Sequence, residues 1–282
     1  MSRPEMMTTE PAQRWAHGDL EAYLYEEGLN ANASIRQLGV SPCVDAAHPY
    51  FGARRNGRDN DGASIKAAHE WALSKGGARV FLPPDKAWTI KTPITLYAGV
   101  GDASGALPMG LVGVEGATIV RPHSSLAGTS VPLVTLDGAG DAFSSSRASH
   151  AVRDIIFQMG VLSGWSYNAP ALKLTNFGMI GVVERVHVHA VQVTDAAILC
   201  ETTLAMTFRD CHVISWYGKT GQDAIDYPPI GAGFRFLPEL ANAGHPTNTS
   251  LVNCTAMDFA RGIDFGYPGG LSNPNVITIA EC

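Results

Sequence analysis

The chain is poor in charge and has no basic run. Only 16% of its 282 residues are charged, and the formal net charge is -6. A nucleic-acid binder carries a basic face along the phosphate backbone, so neither DNA nor RNA is an expected partner. No apolar run reaches the length that spans a bilayer, and membrane insertion is not expected. The opening residues, MSRPEMMTTEPAQRWAHG, lack the apolar core of a signal peptide. The five cysteines (Cys43, Cys200, Cys211, Cys254 and Cys282) include no CxxC pair, and an odd number argues against a complete disulfide framework. Cys200, Cys211 and Cys254 lie inside apolar segments and read as small buried fillers.

What is present is apolar and rich in turns. Hydrophobic residues make up 45% of the chain, with 30 glycines and 17 prolines. Residues 1–43 differ from the rest and read as an N-terminal adaptor or packing segment, in which LEAYLYEEGL (Leu20–Leu29) has the pattern of a short helix. The stretch NGRDNDGAS (Asn56–Ser64) is acidic and glycine-rich, as a metal loop, a phosphate loop or a helix start would be. It lacks the Gly-x-x-x-x-Gly-Lys of a phosphate loop and the spacing of a calcium loop. Asp61 or Ser64 stands where a cap would satisfy the first amides of a helix. In ASIKAAHEWALSKGG, Ile65, Ala68, Trp71 and Ala72 recur at helical spacing, and Gly76-Gly77 stops the helix. The strand ARVFLPP follows, and then WTIKTPITL (Trp88–Leu96).

From about residue 110 helical periodicity disappears, and two kinds of short strand alternate. One kind is ALKL (Ala171–Leu174), AILC (Ala197–Cys200), GFRF (Gly233–Phe236) and GIDF (Gly262–Phe265). The other is VRDIIFQ (Val152–Gln158), VERVHVH (Val183–His189), FRDCHVI (Phe208–Ile214) and LVNCTAM (Leu251–Met257). Pieces of the second kind are spaced by 31, 25 and 43 residues, so the variation falls in loops. A coil of parallel strands requires such a repeat, because each turn needs the next to complete its core. Leu172/Leu174, Ile198/Cys200, Phe234/Phe236 and Ile263/Phe265 should point inward. Lys173, Leu199, Arg235 and Asp264 should form an outward ladder, with Arg235 over Asp264. The fold class expected is all-β, a right-handed parallel β-helix with a short N-terminal capping helix, spanning residues 44–282.

The segment FGARRNGRDNDGASIKAAHEWALSKGGARVFLPP (Phe51–Pro84) resembles the opening motif of the pectate-lyase-like right-handed β-helix superfamily. That motif runs from FGA through a Gly/Asp-rich turn into a capping helix, then Gly-Gly and a strand ending in Phe-x-Pro-Pro. Here Arg54-Arg55-Asn56-Gly57 replaces the tight Gly-Asp-Gly turn, and Asn60-Asp61-Gly62 stands for the usual Asp-Asp-Thr. The polygalacturonase signatures (Asn-Thr-Asp, a rung Asp-Asp, Gly-His-Gly and Arg-Ile-Lys) are absent. The group includes tailspikes and depolymerases of bacteriophages, pectinolytic hydrolases, lyases and epimerases. A glycan-active fold with no export signal is similar to the tailspike branch. The resemblance implies a homotrimer on the virion, or otherwise an extracellular protein. It also implies a capsular or lipopolysaccharide glycan as ligand and other phage tail proteins as possible partners through the N-terminus.

A site should lie where connections of unequal length interrupt the repeat. Met159–Pro170 carries Trp165 and Tyr167. Ser215–Ala232 carries Trp216, Tyr217, Lys219, Asp223, Asp226 and Tyr227. Between them lies only AVQVTDA (Ala190–Ala196). Two long aromatic connections flanking a short one resemble the walls of a glycan groove about 10 Å wide. Glycoside hydrolysis needs two carboxyls, about 5–5.5 Å apart for retention or 6.5–9.5 Å for inversion. Asp223 or Asp226 is the candidate acid and Asp195 the candidate base, with Glu201 a further carboxylate. His187 and His212 occupy matching places, as do Arg185 and Asp210. Two stacked imidazoles supply too few ligands for zinc, and no metal or cofactor is expected. A His/Arg pair, with Lys173 and Arg235 as further clamps, would instead suit a polysaccharide lyase. Binding without cleavage, as in a receptor-binding or structural tail protein, is the third reading.

Overall fold

The computed structural model describes residues 43–74, 79–98, 109–138, 150–159, 167–177, 181–190, 193–203, 206–215, 230–237, 249–266 and 277–282. Every strand pairing among them is parallel, and the strands stack in three columns.

The first column is β1 (Cys43–Asp45), β2 (Arg79–Phe81), β5 (Gly110–Val112), the first halves of β8 (His150–Gln158) and β10 (Gly181–Ala190), β12 (Met206–Arg209), β15 (Thr249–Val252) and β18 (Ile277–Ala280). The second is β3 (Trp88–Ile90), β6 (Ile119–Pro122), the second halves of β8 and β10, β13 (His212–Ser215) and β16 (Thr255–Met257). The third forms a sheet of its own: β4 (Ile94–Tyr97), β7 (Val134–Asp137), β9 (Leu172–Phe177), β11 (Ala196–Thr203), β14 (Ala232–Leu237) and β17 (Arg261–Phe265). One strand from each column makes a turn of a right-handed parallel β-helix.

The corner between the first two columns has a specific cause. Asp154, Arg185, Asp210, Asn253 and Glu281 all have left-handed backbone, with φ of 60°, 50°, 53°, 51° and 55°. Each interrupts the alternation of a strand, so the side chains on either side of it both turn inward. Val152 and Ile155, Val183 and Val186, Phe208 and Cys211, and Leu251 and Cys254 are accordingly buried. Pieces such as VERVHVH read as single strands in sequence but serve two columns of the coil.

The third column follows the expected register. Leu172, Ile198, Phe234 and Ile263 align, and so do Lys173, Leu199, Arg235 and Asp264. Phe208 meets Phe234 and Phe236 edge-on at 6.0 and 5.6 Å, and Phe236 stacks on Phe265 at 5.1 Å, giving the core an aromatic spine.

Two expectations are corrected. The coil starts before residue 110, because β2, β3 and β4 already form a turn. The segment WTIKTPITL, for which no strand was specified, forms two strands in different columns, parted at Lys91–Pro93, where proline interrupts the ladder. The outward ladder is not uniformly exposed. Leu199 packs with Ala196, Ala232 and Leu237, and Asp264 lies beneath the guanidinium groups of Arg235 and Arg261.

Helix α1 (Asp61–Ser74) closes the coil by burying Ile65, Ala68, His69 and Ala72 against β2, β3 and β4. The acidic loop before it holds the helix in place. Asp61 does not cap its own helix. Its carboxylate accepts from the backbone amides of Arg55 and Thr89, each at 2.9 Å. Asn60 Oδ1 accepts from Lys91 N at 2.9 Å, and Asn56 Oδ1 accepts from the amides of Arg58 and Asp59. The side chains that a free helix would spend on its own amides here tie it to the second column.

Candidate functional site

The described ends of the connections from the second column to the third stack in order. On the departing side, Met159 N donates to His189 O at 2.8 Å, and Ser215 pairs with Ala190. On the returning side, Leu133 N donates to Pro170 O, Ala171 N to Ala197 O, Ala232 N to Asp195 O and Arg261 N to Gly231 O, all between 2.8 and 3.1 Å. The described end of the short connection, residues 193–195, therefore sits between the described ends of the two longer ones, residues 167–170 and 230–231. Thr194 N donates to Asn168 O at 3.0 Å on one side of it. On the other, the returning chain passes so close that a Cβ on Gly231 would lie 2.2 Å from Val193 O. With φ of +65° as well, that position excludes any side chain.

Trp165, Trp216, Tyr217, Lys219, Asp223 and Asp226 lie outside the described residues, but the ends of their segments are fixed as above. Tyr167 is described, and it belongs to the core. It is fully buried, its hydroxyl donates to the Val131 carbonyl, and burial pushes its pKa well above the usual tyrosine value. No face of it is left for a sugar.

Asp195 is half-exposed on the floor and is ion-paired with Arg235. Arg235 also approaches Asp264 on the next turn, Nε to Oδ2 at 3.2 Å, but the groups are misaligned for a hydrogen bond and the contact is Coulombic. Arg261 completes the group at 2.9 Å from Asp264. Asp195 and Asp264 thus stand one guanidinium apart. Lys173 pairs with Glu201 at 2.6 Å. Glu201 is six residues along β11 from Asp195, about 20 Å at the strand rise, so these two carboxylates cannot act on one glycosidic bond.

The histidines lie on the outer face of the second column. His187 and His212 are in register, with ring centroids 5.0 Å apart and edges to faces. His212 Nδ1 and Thr255 Oγ1 are 2.7 Å apart. Burial lowers the His187 pKa first, and the neighbouring imidazoles of His212 and His189 lower it further against an opposing pull from Glu115. Arg185 does not reach into open space. Asp154 holds it at 2.6 Å, Glu184 at 3.1 Å and Glu115 at 3.6 Å, and the Asp154 hydrogen bond raises its pKa above the usual arginine value. As a clamp for a uronate it is already occupied. Among the described residues no three His, Cys, Asp or Glu side chains converge as a metal site.

Two features went unread in the sequence. Arg261 joins the Asp195–Arg235–Asp264 cluster, and residues 258–260 form a second short connection, from β16 to β17. The brevity of DFA between TAM and RGIDF was the signal for the latter.

No protein-family profile matches the chain, and no curated protein sequence matches it significantly. Solved structures do. The surface adhesin PfbA of Streptococcus pneumoniae superposes with a TM-score of 0.57 at 12% identity, covering 85% of this chain. The present chain spans only 56% of that adhesin's chain. A putative glycosyl hydrolase from Parabacteroides merdae gives a TM-score of 0.53 at 12% identity, covering 86% of this chain and 95% of that one. Tailspike protein 3 of bacteriophage CBA120 matches at a TM-score of 0.48 and 15% identity, over 84% of this chain and 36% of that one. The first two likenesses establish the fold and do not choose among the functions it carries.

Proposed function

We propose that the chain binds an extended bacterial surface polysaccharide, a capsular or lipopolysaccharide glycan, across the notch over residues 191–195 and cleaves it by hydrolysis. The observation that supports this most is the stacking of the described ends of three connections. Half-exposed Asp195 lies between the returning ends of two longer segments, whose sequences include Trp165 in one and Trp216, Tyr217, Lys219, Asp223 and Asp226 in the other. Asp195, held in an ion pair with Arg235, is the candidate base that activates water. The acid in this reading is Asp226 or Asp223, because Asp264 is engaged by the guanidinium groups of Arg235 and Arg261. Lys219 and the tryptophans grip and stack the sugars. In this reading the protein is tailspike-like. It works as a homotrimer at the virion surface or otherwise outside the cell, and residues 1–43 join it to other tail proteins.

One observation favours a second reading, binding without cleavage. Lys173, Glu201, Asp195, Arg235, Asp264 and Arg261 neutralise one another, leaving the described face without an unengaged catalytic charge. The lyase reading has less support, since Arg185 and Arg235 are both occupied.

The test is release of reducing ends from a panel of bacterial capsular polysaccharides and lipopolysaccharides, repeated with Asp195→Asn and Asp226→Asn. Hydrolysis predicts new reducing ends without ultraviolet-absorbing unsaturated products, and a fall of about 100-fold or more in each variant. Full activity in both variants would remove Asp195 and Asp226 from the mechanism. Binding with no cleavage of any glycan would leave the second reading, and unsaturated products would establish the lyase.

A further inference from the structure

Three cysteines far apart in sequence share one stacked position of the coil. The pairs Arg209 with Val252 and His212 with Thr255 bracket Cys211 opposite Cys254, and Val252 with Ala280 extends the alignment to Cys282. Each follows a left-handed corner residue: Asp210, Asn253 and Glu281. Stacked positions in parallel strands lie about 4.8 Å apart, inside the Cα separation that a disulfide requires. The side chains approach accordingly. Cys254 N donates to Cys282 Sγ at 3.4 Å, and the Cys211 and Cys254 thiols point to the carbonyls of Arg209 and Val252.

Exposure grades along the stack. Cys211 is fully buried, Cys254 is 3% exposed, and Cys282 is open to solvent. The neighbouring Cys211 thiol brings the Cys254 pKa down to about 7, whereas Cys254 and burial push Cys211 up. The sulfur that meets an oxidant first therefore has a thiolate-forming neighbour behind it, and the third thiol is withdrawn from the reaction.

We propose that Cys254 and Cys282 form a peroxide-responsive site whose oxidation to a disulfide staples β18 to the preceding turn. The Cys282 thiolate attacks hydrogen peroxide. An S–O bond forms, the O–O bond breaks, and the departing hydroxide takes a proton to become water. The Cys254 thiolate then attacks the sulfenic sulfur of Cys282, forming the S–S bond and breaking S–O, and the second hydroxide leaves as water. Two thiols lose two electrons in all, and one peroxide is reduced to two waters. Cys200 lies in the third column, buried and with its pKa pushed up by burial, and takes no part.

The experiment treats the full chain with hydrogen peroxide under native conditions, blocks remaining thiols after unfolding, and maps unreduced peptides by mass spectrometry. A cross-linked pair joining Cys254 to Cys282, lighter by two hydrogens, is expected. Cys211 and Cys200 should be recovered as blocked thiols. The link should vanish in Cys254→Ser and Cys282→Ser and persist in Cys211→Ser. Cys282 oxidised without a link, a Cys211–Cys254 link, a Cys282 link between two chains, or no reaction would each overturn the proposal. The wild-type map decides even where a variant folds poorly.

Discussion

At the scale of single residues, the polar groups are mostly engaged with one another. Arg235 illustrates what was readable and what was not. Its position over Asp264 followed from the alternation of GFRF and GIDF. Its hold on Asp195 did not, because that contact depends on how the returning connection approaches the strand. Tyr167 was misread for a related reason: an aromatic in a loop sequence can still turn inward where the loop rejoins the coil. His69 gives a prediction at this scale. It is 1% exposed, its Nε2 donates to Tyr97 O at 2.8 Å, and its buried Nδ1 has no hydrogen-bond partner. Burial lowers its pKa against weaker opposing effects of the Tyr97 carbonyl and Glu70. The unfolded chain therefore binds the proton more readily than the folded one. Stability from this group is complete above about pH 6.5 and falls as the pH drops toward the folded-state value. Urea unfolding at pH 7.5 and 5.5 should show a smaller acid loss in His69→Gln than in the wild type. An equal loss would mean that His69 does not contribute.

At the scale of elements, helix α1 and its periodicity were legible, and so were the inward pairs of the third column. The left-handed corners were not. Asp154, Asp210 and Asn253 are of the types that most readily adopt left-handed backbone, but Arg185 is not, and these types are as common in ordinary turns. The break in alternation comes from backbone geometry and not from hydrophobicity. The acidic loop was placed correctly as the lead into α1, but the partners of Asp61 came from Arg55 and from a strand 28 residues ahead. Asp61→Ala would leave two backbone amides without their acceptor and should lower stability by about 2–4 kcal/mol. Asp61→Asn, which keeps one carbonyl oxygen, should lose about half as much. The urea midpoints of the three proteins check this, and equal midpoints would refute the tie between helix and coil.

At the scale of the whole molecule, the repeat announced the parallel coil because no turn can bury its own apolar face. The unequal connection lengths showed which edge to examine, and along it the stacked backbones of residues 167–171, 193–197 and 230–232 set the end of the short connection between the ends of the longer ones. The choice among hydrolase, lyase and binder was not legible. It depends on carboxylate spacing and on which cations are already occupied, and neither is fixed by a repeat pattern. The most direct test of the site's position is a crystal structure of the Asp195→Asn protein with an oligosaccharide cut from whichever panel polysaccharide it binds. The sugar should lie over residues 191–195, between the segments bearing Trp165 and Trp216. Sugar bound on another face of the coil, with this edge empty, would contradict the account.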